Sequence, residues 1–356
     1  MNYCAGCWSG FSREIHLTFR SPRCLLARSM RACRLRIRAS PYTHPSLGSL
    51  LTHNHVSWAY YGDAAHNIAP GTDLWTAPNA FSDICLPVVM GLCTGTEFMN
   101  HVVLPGDSSR GNYTEPILWD LGDNTQGVCG LKSVSWVIPD GRWSDHPKKV
   151  GHNGGPSWVA ALVDALDGKN NDGTLFGQTE NPCGYWDNTV ILVVWDDWGG
   201  FYDDVDPNPT GQNGGYSNRT GGQYVYGFRV PLLVISKYAK PGYVSGPASG
   251  ATCVGTYYCH DFGSILNFVE HTFGLPPING DATSQDPYAD ALVRDITLTN
   301  TYSLADFFGT TPNPFTPIII TPQQYLFYPT NCFTTVTTCF TDSSSQDPDA
   351  DAEDND

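Results

Sequence analysis

Two short polar stretches follow apolar runs, and their residue types are the ones best suited to chemistry. After Val190-Ile191-Leu192-Val193-Val194 comes WDDWGGFYDD, with the adjacent carboxylates Asp196 and Asp197, the pair Gly199-Gly200, and then Asp203 and Asp204. After Val134-Ser135-Trp136-Val137 comes IPDGRWSDHP, which supplies Asp140, Arg142, Asp145 and His146. Carboxylate and imidazole donors delivered by separate strand ends are how a hydrolytic metal site is built, because a divalent cation needs several N or O ligands around one point. Each stretch also has a plainer reading. An Asp pair before Gly-Gly can cap a turn and accept from the next backbone amides, and Asp145-His146 can be a structural hydrogen-bonded pair. His260-Asp261 reads equally as a helix N-terminal arrangement or as a site contact. His152 is either a loop histidine or an active-site donor, whereas His53, His55, His66, His101 and His271 read as structural.

The elements that must position these residues alternate between strand and helix. Val56 to Tyr61 has the β-branched and aromatic content of a strand stopped by Gly62, and Val134 to Ile138 is a second, ended by Pro139-Asp140-Gly141. Val190 to Trp195 is continuously apolar, as expected of a strand covered on both faces in a parallel sheet, and Val230 to Ile235 repeats the theme. Ser157 to Leu166 and Ser264 to Phe273 carry apolar residues at helical spacing, and Ser46 to Leu51 reads as the end of a helix. Residues 63 to 130 form a long Gly-, Pro-, Asn- and Asp-rich excursion in which loops and short helices are expected. The alternation predicts an α/β fold with a mainly parallel three-layer sheet. In such sheets ligands bind beyond the carboxyl ends of the strands, which is where both polar stretches stand.

Composition bounds the partners. The net charge of −16 conceals a basic leader, residues 1–40, and an acidic tail, residues 342–356, which offset each other. The body between them is strongly acidic, which argues against nucleic acid, whose binding rests on cationic neutralisation of phosphates. It suits a divalent cation. No apolar run is long enough to cross a bilayer. No glycine-rich nucleotide loop and no Gly-x-Ser-x-Gly elbow occurs, which removes the usual signs of a kinase, a dinucleotide enzyme or an α/β-hydrolase. Cys85, Cys93, Cys129, Cys183, Cys253, Cys259, Cys332 and Cys339 lie in the body. Close spacings such as Cys85 to Cys93 suit short disulfide loops, so an oxidising, secreted or periplasmic setting is expected although residues 1–40 hold no recognisable signal peptide. Three segments follow: an atypical leader at 1–40 that is not expected to join the fold, one α/β domain at 41–341, and an acidic tail at 342–356 with no apolar content.

The ordered segments VSWAYYG, VSWVIPDGRWSDHP, GGPSWVAALVDAL, YWDNTVILVVWDDWGGFYDDV, YGFRVPLLVISKYAKPGYVS and HDFGSILNFVEHTFGLPPI resemble the bacterial phosphoesterase family, with its phospholipase C and acid phosphatase members, a branch of the alkaline phosphatase-like superfamily. The resemblance runs from about Leu50 to Pro314. It implies a three-layer α/β/α fold and metal-assisted hydrolysis of phosphoric ester bonds. By it, Asp196 and Asp197 match the metal-binding carboxylate pair, and Asp145 and His146 match an Asp-His-Pro element beside the phosphate. His260 or Asp261 stands near a polar pair that precedes a helix, with Phe262 at a position that is often His and Asp204 replacing another frequent His. The implied cofactor is a divalent metal ion, Ca²⁺, Mg²⁺, Mn²⁺ or Zn²⁺, and the implied partner a small-molecule or phospholipid phosphoester. Family members carry a Glu-Asn-Arg-Ser-Phe-type motif and a Ser or Thr nucleophile ahead of the segment at Val56; no such motif precedes it here. The expectation is therefore a fold truncated at its N-terminus, with catalysis weakened by missing ligands, the alternative being a secreted, non-catalytic protein that binds a cation or phosphorylated ligand.

Overall fold

The computed structural model describes residues 42–43, 45–62, 76–105, 107, 115–122, 129–139, 143–144, 155–168, 183–199, 202–204, 228–245, 260, 262–278, 304–310 and 312. In chain order the elements are α1 (Leu47–His53), β1 (Trp58–Tyr61), α2 (Ser82–Cys85), β2 (Val88–Val89), β3 (Leu92–Cys93), α3 (Thr96–His101), β4 (Val102–Val103), α4 (Ile117–Asp120), β5 (Val134–Val137), α5 (Gly155–Leu166), β6 (Val190–Val194), β7 (Leu232–Ser236) and α6 (Phe262–Phe273). Short 3₁₀ turns lie at Ala77–Ala80, Tyr185–Asn188 and Ala305–Phe307.

The expected α/β architecture is present. Three strands form a parallel sheet in the order β4-β1-β5, with Tyr60 opposite Val102 and Trp58 to Tyr61 opposite Val134 to Val137. All four residues of β1 are buried. Side chains alternate across a strand, so β1 feeds two cores at once. Ala59 and Tyr61 face one, with Ile117, Leu118 and Leu121 around α4 and Trp158, Ala161 and Ala165 from α5. Trp58 and Tyr60 face the other, with Leu47 and Leu51 of α1, Ile84 of α2 and Phe98 of α3, and Leu266 and Val269 of α6 pack against it. Helices on both faces of a parallel sheet explain why β1 tolerates apolar and aromatic residues at every position.

Several polar groups inside this region are paired. Trp58 Nε1 donates to Thr52 Oγ1 at 2.9 Å, its ring stacks on His101 at 4.2 Å, and His101 Nδ1 lies 2.9 Å from the Trp58 carbonyl. The Tyr61 hydroxyl donates to the buried Asp120 carboxylate at 2.7 Å. His53 Nδ1 sits 2.7 Å from Ser49 O, so His53 and His101 have the structural role their sequence context suggested.

Two local expectations are corrected. Ser46 begins a helix instead of lying near the end of one: it is extended, its Oγ accepts from Ser49 N at 3.1 Å, and α1 runs on to His53. A serine hydroxyl satisfies an otherwise orphaned first-turn amide, which makes Ser46 a start signal. The second concerns β6 and β7. They pair antiparallel, Val190 opposite Ser236 through Val194 opposite Leu232, and are only partly buried. An apolar run reports a tendency to bury, which is shared by both pairing directions.

Two disulfides join Cys85 to Cys93 and Cys129 to Cys183. The first is the short loop that the spacing suggested; Cys253, Cys259, Cys332 and Cys339 lie outside the described residues. No helix among the described residues is long and apolar enough to cross a membrane.

Candidate functional site

β6 ends at Val194, and the next four residues, Trp195, Asp196, Asp197 and Trp198, are all exposed. The chain turns here because Asp197 Oδ1 accepts from Gly199 N at 2.5 Å and Gly199 adopts φ +62°, a left-handed conformation that glycine takes without steric penalty. One oxygen of Asp197 therefore does cap a turn, as the plainer reading of the Asp-Asp-x-Gly pattern holds. Asp196 makes no hydrogen bond or ion pair with a described residue. The turn thus presents adjacent carboxylates to solvent, with only one of their four oxygens committed to backbone. Oxygen donors of this kind fit a hard divalent cation, which would also relieve the repulsion between the two charges.

The other acidic residues of this stretch have different fates. Asp203 is held by Arg229, whose Nε and Nη2 reach Oδ2 and Oδ1 at 2.7 and 2.8 Å while its backbone N donates to Oδ2 at 3.2 Å. This latch joins the segment after β6 to the segment before β7, and Phe228 adds edge contacts to Trp198 and Tyr202 at 5.4 Å each. Asp203 is consequently a structural anion. Asp204 is exposed.

His260 lies two residues before α6 in a polar cluster that sequence reading did not assemble. Ser245 Oγ is 2.9 Å from His260 Nε2 and donates to Asp306 Oδ2 at 2.6 Å; the Tyr243 hydroxyl donates to the same Oδ2 at 3.0 Å. His260 Nε2 is 3.4 Å from both carboxylate oxygens of Asp306, and Oδ1 accepts no hydrogen bond. Since the Ser245 proton is directed to Asp306, its lone pair accepts from His260, which places a proton on Nε2. A serine nucleophile would need the reverse, its own proton directed at the imidazole, with the carboxylate on the other ring nitrogen. The cluster therefore orients a histidine and does not activate a serine. Burial alone would push the Asp306 carboxyl up, but the hydrogen bonds from His260, Ser245 and Tyr243 together with the His260 charge outweigh it and hold the group below its ordinary value. Lys240 fastens the same segment, donating from Nζ to Asp306 O at 2.7 Å.

Of the residues singled out in the sequence, Asp196, Asp197 and His260 are thus placed, while Asp140, Asp145, His146, His152 and Asp261 lie outside the described residues. Among the described residues no three His, Cys, Asp or Glu side chains gather as a metal cage, so Asp196 and Asp197 stand as a two-carboxylate element there. Ser245, Tyr243 and Asp306 were missed. They come from segments far apart in the chain, and Asp306 sits on a single 3₁₀ turn with no periodic pattern to mark it.

Comparison with known proteins agrees with the resemblance of the motifs. The model of the phosphoesterase family matches residues 34–276, and the chain belongs to that family. It is 31% identical over 206 residues to phospholipase C B of Mycobacterium tuberculosis, a stretch that covers 54% of this chain and 33% of that protein. It is 27% identical over 213 residues to the non-hemolytic phospholipase C of Pseudomonas aeruginosa, covering 54% and 26%, and 30% identical over 201 residues to the hemolytic phospholipase C of the same organism, covering 53% and 22%. The matched stretch thus spans a third or less of each of these relatives.

Proposed function

We propose that this phosphoesterase family member hydrolyses phosphoric ester bonds with the help of a divalent cation held by Asp196 and Asp197. The observation that carries the reading is the placement of that carboxylate pair: inside the matched region, at the end of β6, exposed, and largely unengaged by other described groups. The relatives are phospholipases C by name, which favours a phosphodiester of the phospholipid type, with smaller phosphoesters as the wider class. A cation bound there supplies charge to stabilise the phosphoryl oxygens as the ester breaks. By the family resemblance Asp145 and His146 belong to the element beside the phosphate, where His146 would donate a hydrogen bond to phosphate or to the leaving oxygen. His260 is fixed two residues before α6 with its Nε2 proton engaged by Ser245 and Asp306, so its role at the phosphate falls to the other ring nitrogen. Oxygen-rich ligation favours Ca²⁺, Mg²⁺ or Mn²⁺, and recruitment of a histidine shifts the preference toward Zn²⁺. The two disulfides agree with a secreted or periplasmic setting.

The second reading, a non-catalytic protein that binds a cation or a phosphorylated ligand, draws on the turn itself, in which Asp197 already spends one oxygen on Gly199. Hydrolysis of a soluble phosphodiester by the purified chain, with each of the four metals and with chelator, decides between them. The hydrolase reading expects activity that chelation or Asp196→Asn lowers by more than the roughly 10–100-fold typical of losing an outer-shell partner. Cation binding with no hydrolysis under any metal supports the binder, and hydrolysis indifferent to both chelator and Asp196→Asn overturns the assignment of the pair.

A further inference from the structure

Residues 84–96, between Asp83 and Glu97, carry no charge, and they fold into a projection that none of the preceding chemistry uses. β2 and β3 form an antiparallel hairpin, Val88 opposite Cys93 and Val89 opposite Leu92. Its base is fixed by the Cys85–Cys93 disulfide, by Thr94 donating from N and Oγ1 to Pro87 O at 2.9 and 2.8 Å, and by Gly95 N donating to Cys85 O at 3.1 Å. Gly95 can only be glycine in this conformation, since a Cβ there would stand 2.2 Å from Ile84 O. At the tip, Met90 and Gly91 take φ +53° and +86°, the two left-handed positions of a type I′ turn.

The tip is apolar where a soluble hairpin is polar. Asn or Asp normally fills the first left-handed position; here it is Met90, which is 96% exposed. Val89 is 54% and Leu92 40% exposed on one face, and Val88 is 38% exposed on the opposite face. Alternate residues of a strand point to opposite sides, so apolar groups surround the tip instead of lining one side of it. A flat protein surface covers one side of such a knob; a fluid apolar phase covers all of it. No lysine or arginine occurs from residue 39 to residue 109, and Asp83 and Glu97 bound the hairpin in sequence, so this stretch offers no cation to an anionic surface. The unpaired edges of a two-stranded hairpin still require water or headgroups as partners, which confines insertion to the boundary between headgroups and acyl chains.

We propose that the 86–92 hairpin tip is a membrane-interface anchor that inserts Val89, Met90 and Leu92 into a zwitterionic phospholipid surface. The inference is independent of the hydrolytic reading, because it concerns attachment and uses no residue of the candidate site.

The test is co-flotation of the full chain with phosphatidylcholine vesicles, with and without phosphatidylglycerol. Met90→Asn is the key variant, since it places the preferred residue in the turn and leaves the hairpin intact while removing the anchor. Combined with Val89→Ser it is expected to lower partitioning about ten-fold or more, from the lost apolar burial, and phosphatidylglycerol is expected not to strengthen wild-type binding. Hydrolysis of a soluble phosphodiester is measured alongside and is expected to be unchanged by the two substitutions. Vesicle binding without any hydrolysis would leave the anchor standing and remove the hydrolase reading. The anchor is overturned if the wild-type chain stays with the unbound fraction, if the double variant binds equally well, or if the substitutions instead dissolve a dimer or a protein complex while vesicles have no effect.

Discussion

β1 and β6 are both short apolar strands, yet they hold their surroundings in opposite ways. β1 is wholly buried between two cores, and its aromatic residues reach inward to polar partners: Trp58 to Thr52 and Tyr61 to Asp120. β6 is partly exposed along its length, pairs with β7 alone among the described strands, and its surroundings are tied by surface groups such as Asp203 with Arg229. The first strand is secured by removal of apolar area from water; the second carries its polar residues to the surface and gives up burial in doing so. A cation site must remain open to ligands, and an open strand end is what that requires.

The comparison breaks most easily at Trp58. Trp58→Ala removes a ring that is 2% exposed and stacked on His101, and is expected to cost about 3–5 kcal/mol in chemical denaturation. Leu233→Ala on β7, about half exposed, is expected to cost no more than about 1 kcal/mol. Equal losses at the two positions would show that β6 and β7 are covered as thoroughly as β1.

A titration sharpens the same contrast. Glu270 of α6 is buried, which pushes its carboxyl up to about 7 although hydrogen bonds from Ile278 N, at 2.7 Å, and from Asn267 pull the other way. The ordinary value is 4.5, so between pH 4.5 and about 7 the folded chain holds more protons than the unfolded one. Stability contributed by the neutral acid is complete below pH 4.5 and is lost as pH rises through 7. Glu270→Gln mimics the neutral form and is expected to be more stable than wild type by up to about 3 kcal/mol at pH 8, with the difference vanishing near pH 4. Thermal unfolding across that range checks it; a gain independent of pH would remove the titration as its cause.

The smallest effect belongs to the surface latch. Arg229 is more than half exposed, so Arg229→Ala should cost under about 1 kcal/mol, and less again in high salt. Denaturation at low and high ionic strength reads it directly.

Particular residues show what the sequence could and could not reveal. Strand cores and helix faces were legible within a residue or two: β5 at Val134–Val137, β6 at Val190–Val194, α5 at Gly155–Leu166 and α6 at Phe262–Phe273. Periodicity and apolar runs register burial, and burial is what forms these elements. The pairing of β6 with β7 was not legible, because direction is decided by connections that leave no local trace. β4, with two residues inside the 63–130 excursion, is too short to carry a pattern. The carboxylate pair stands out in the sequence because adjacent acids at the end of an apolar strand are unusual and because the motifs resemble a family. Asp306 and Ser245 could not, since their cluster is made by tertiary contact across about sixty residues.

The central claim, that Asp196 and Asp197 together hold a divalent cation, is tested most directly by calorimetric titration of Mn²⁺ and Ca²⁺ into the purified chain and into its Asp196→Asn/Asp197→Asn variant. The expected result is one saturable site in the wild-type chain that disappears in the variant while the unfolding temperature of the cation-free proteins stays the same. Equal cation binding by both chains, or none by either, would contradict it.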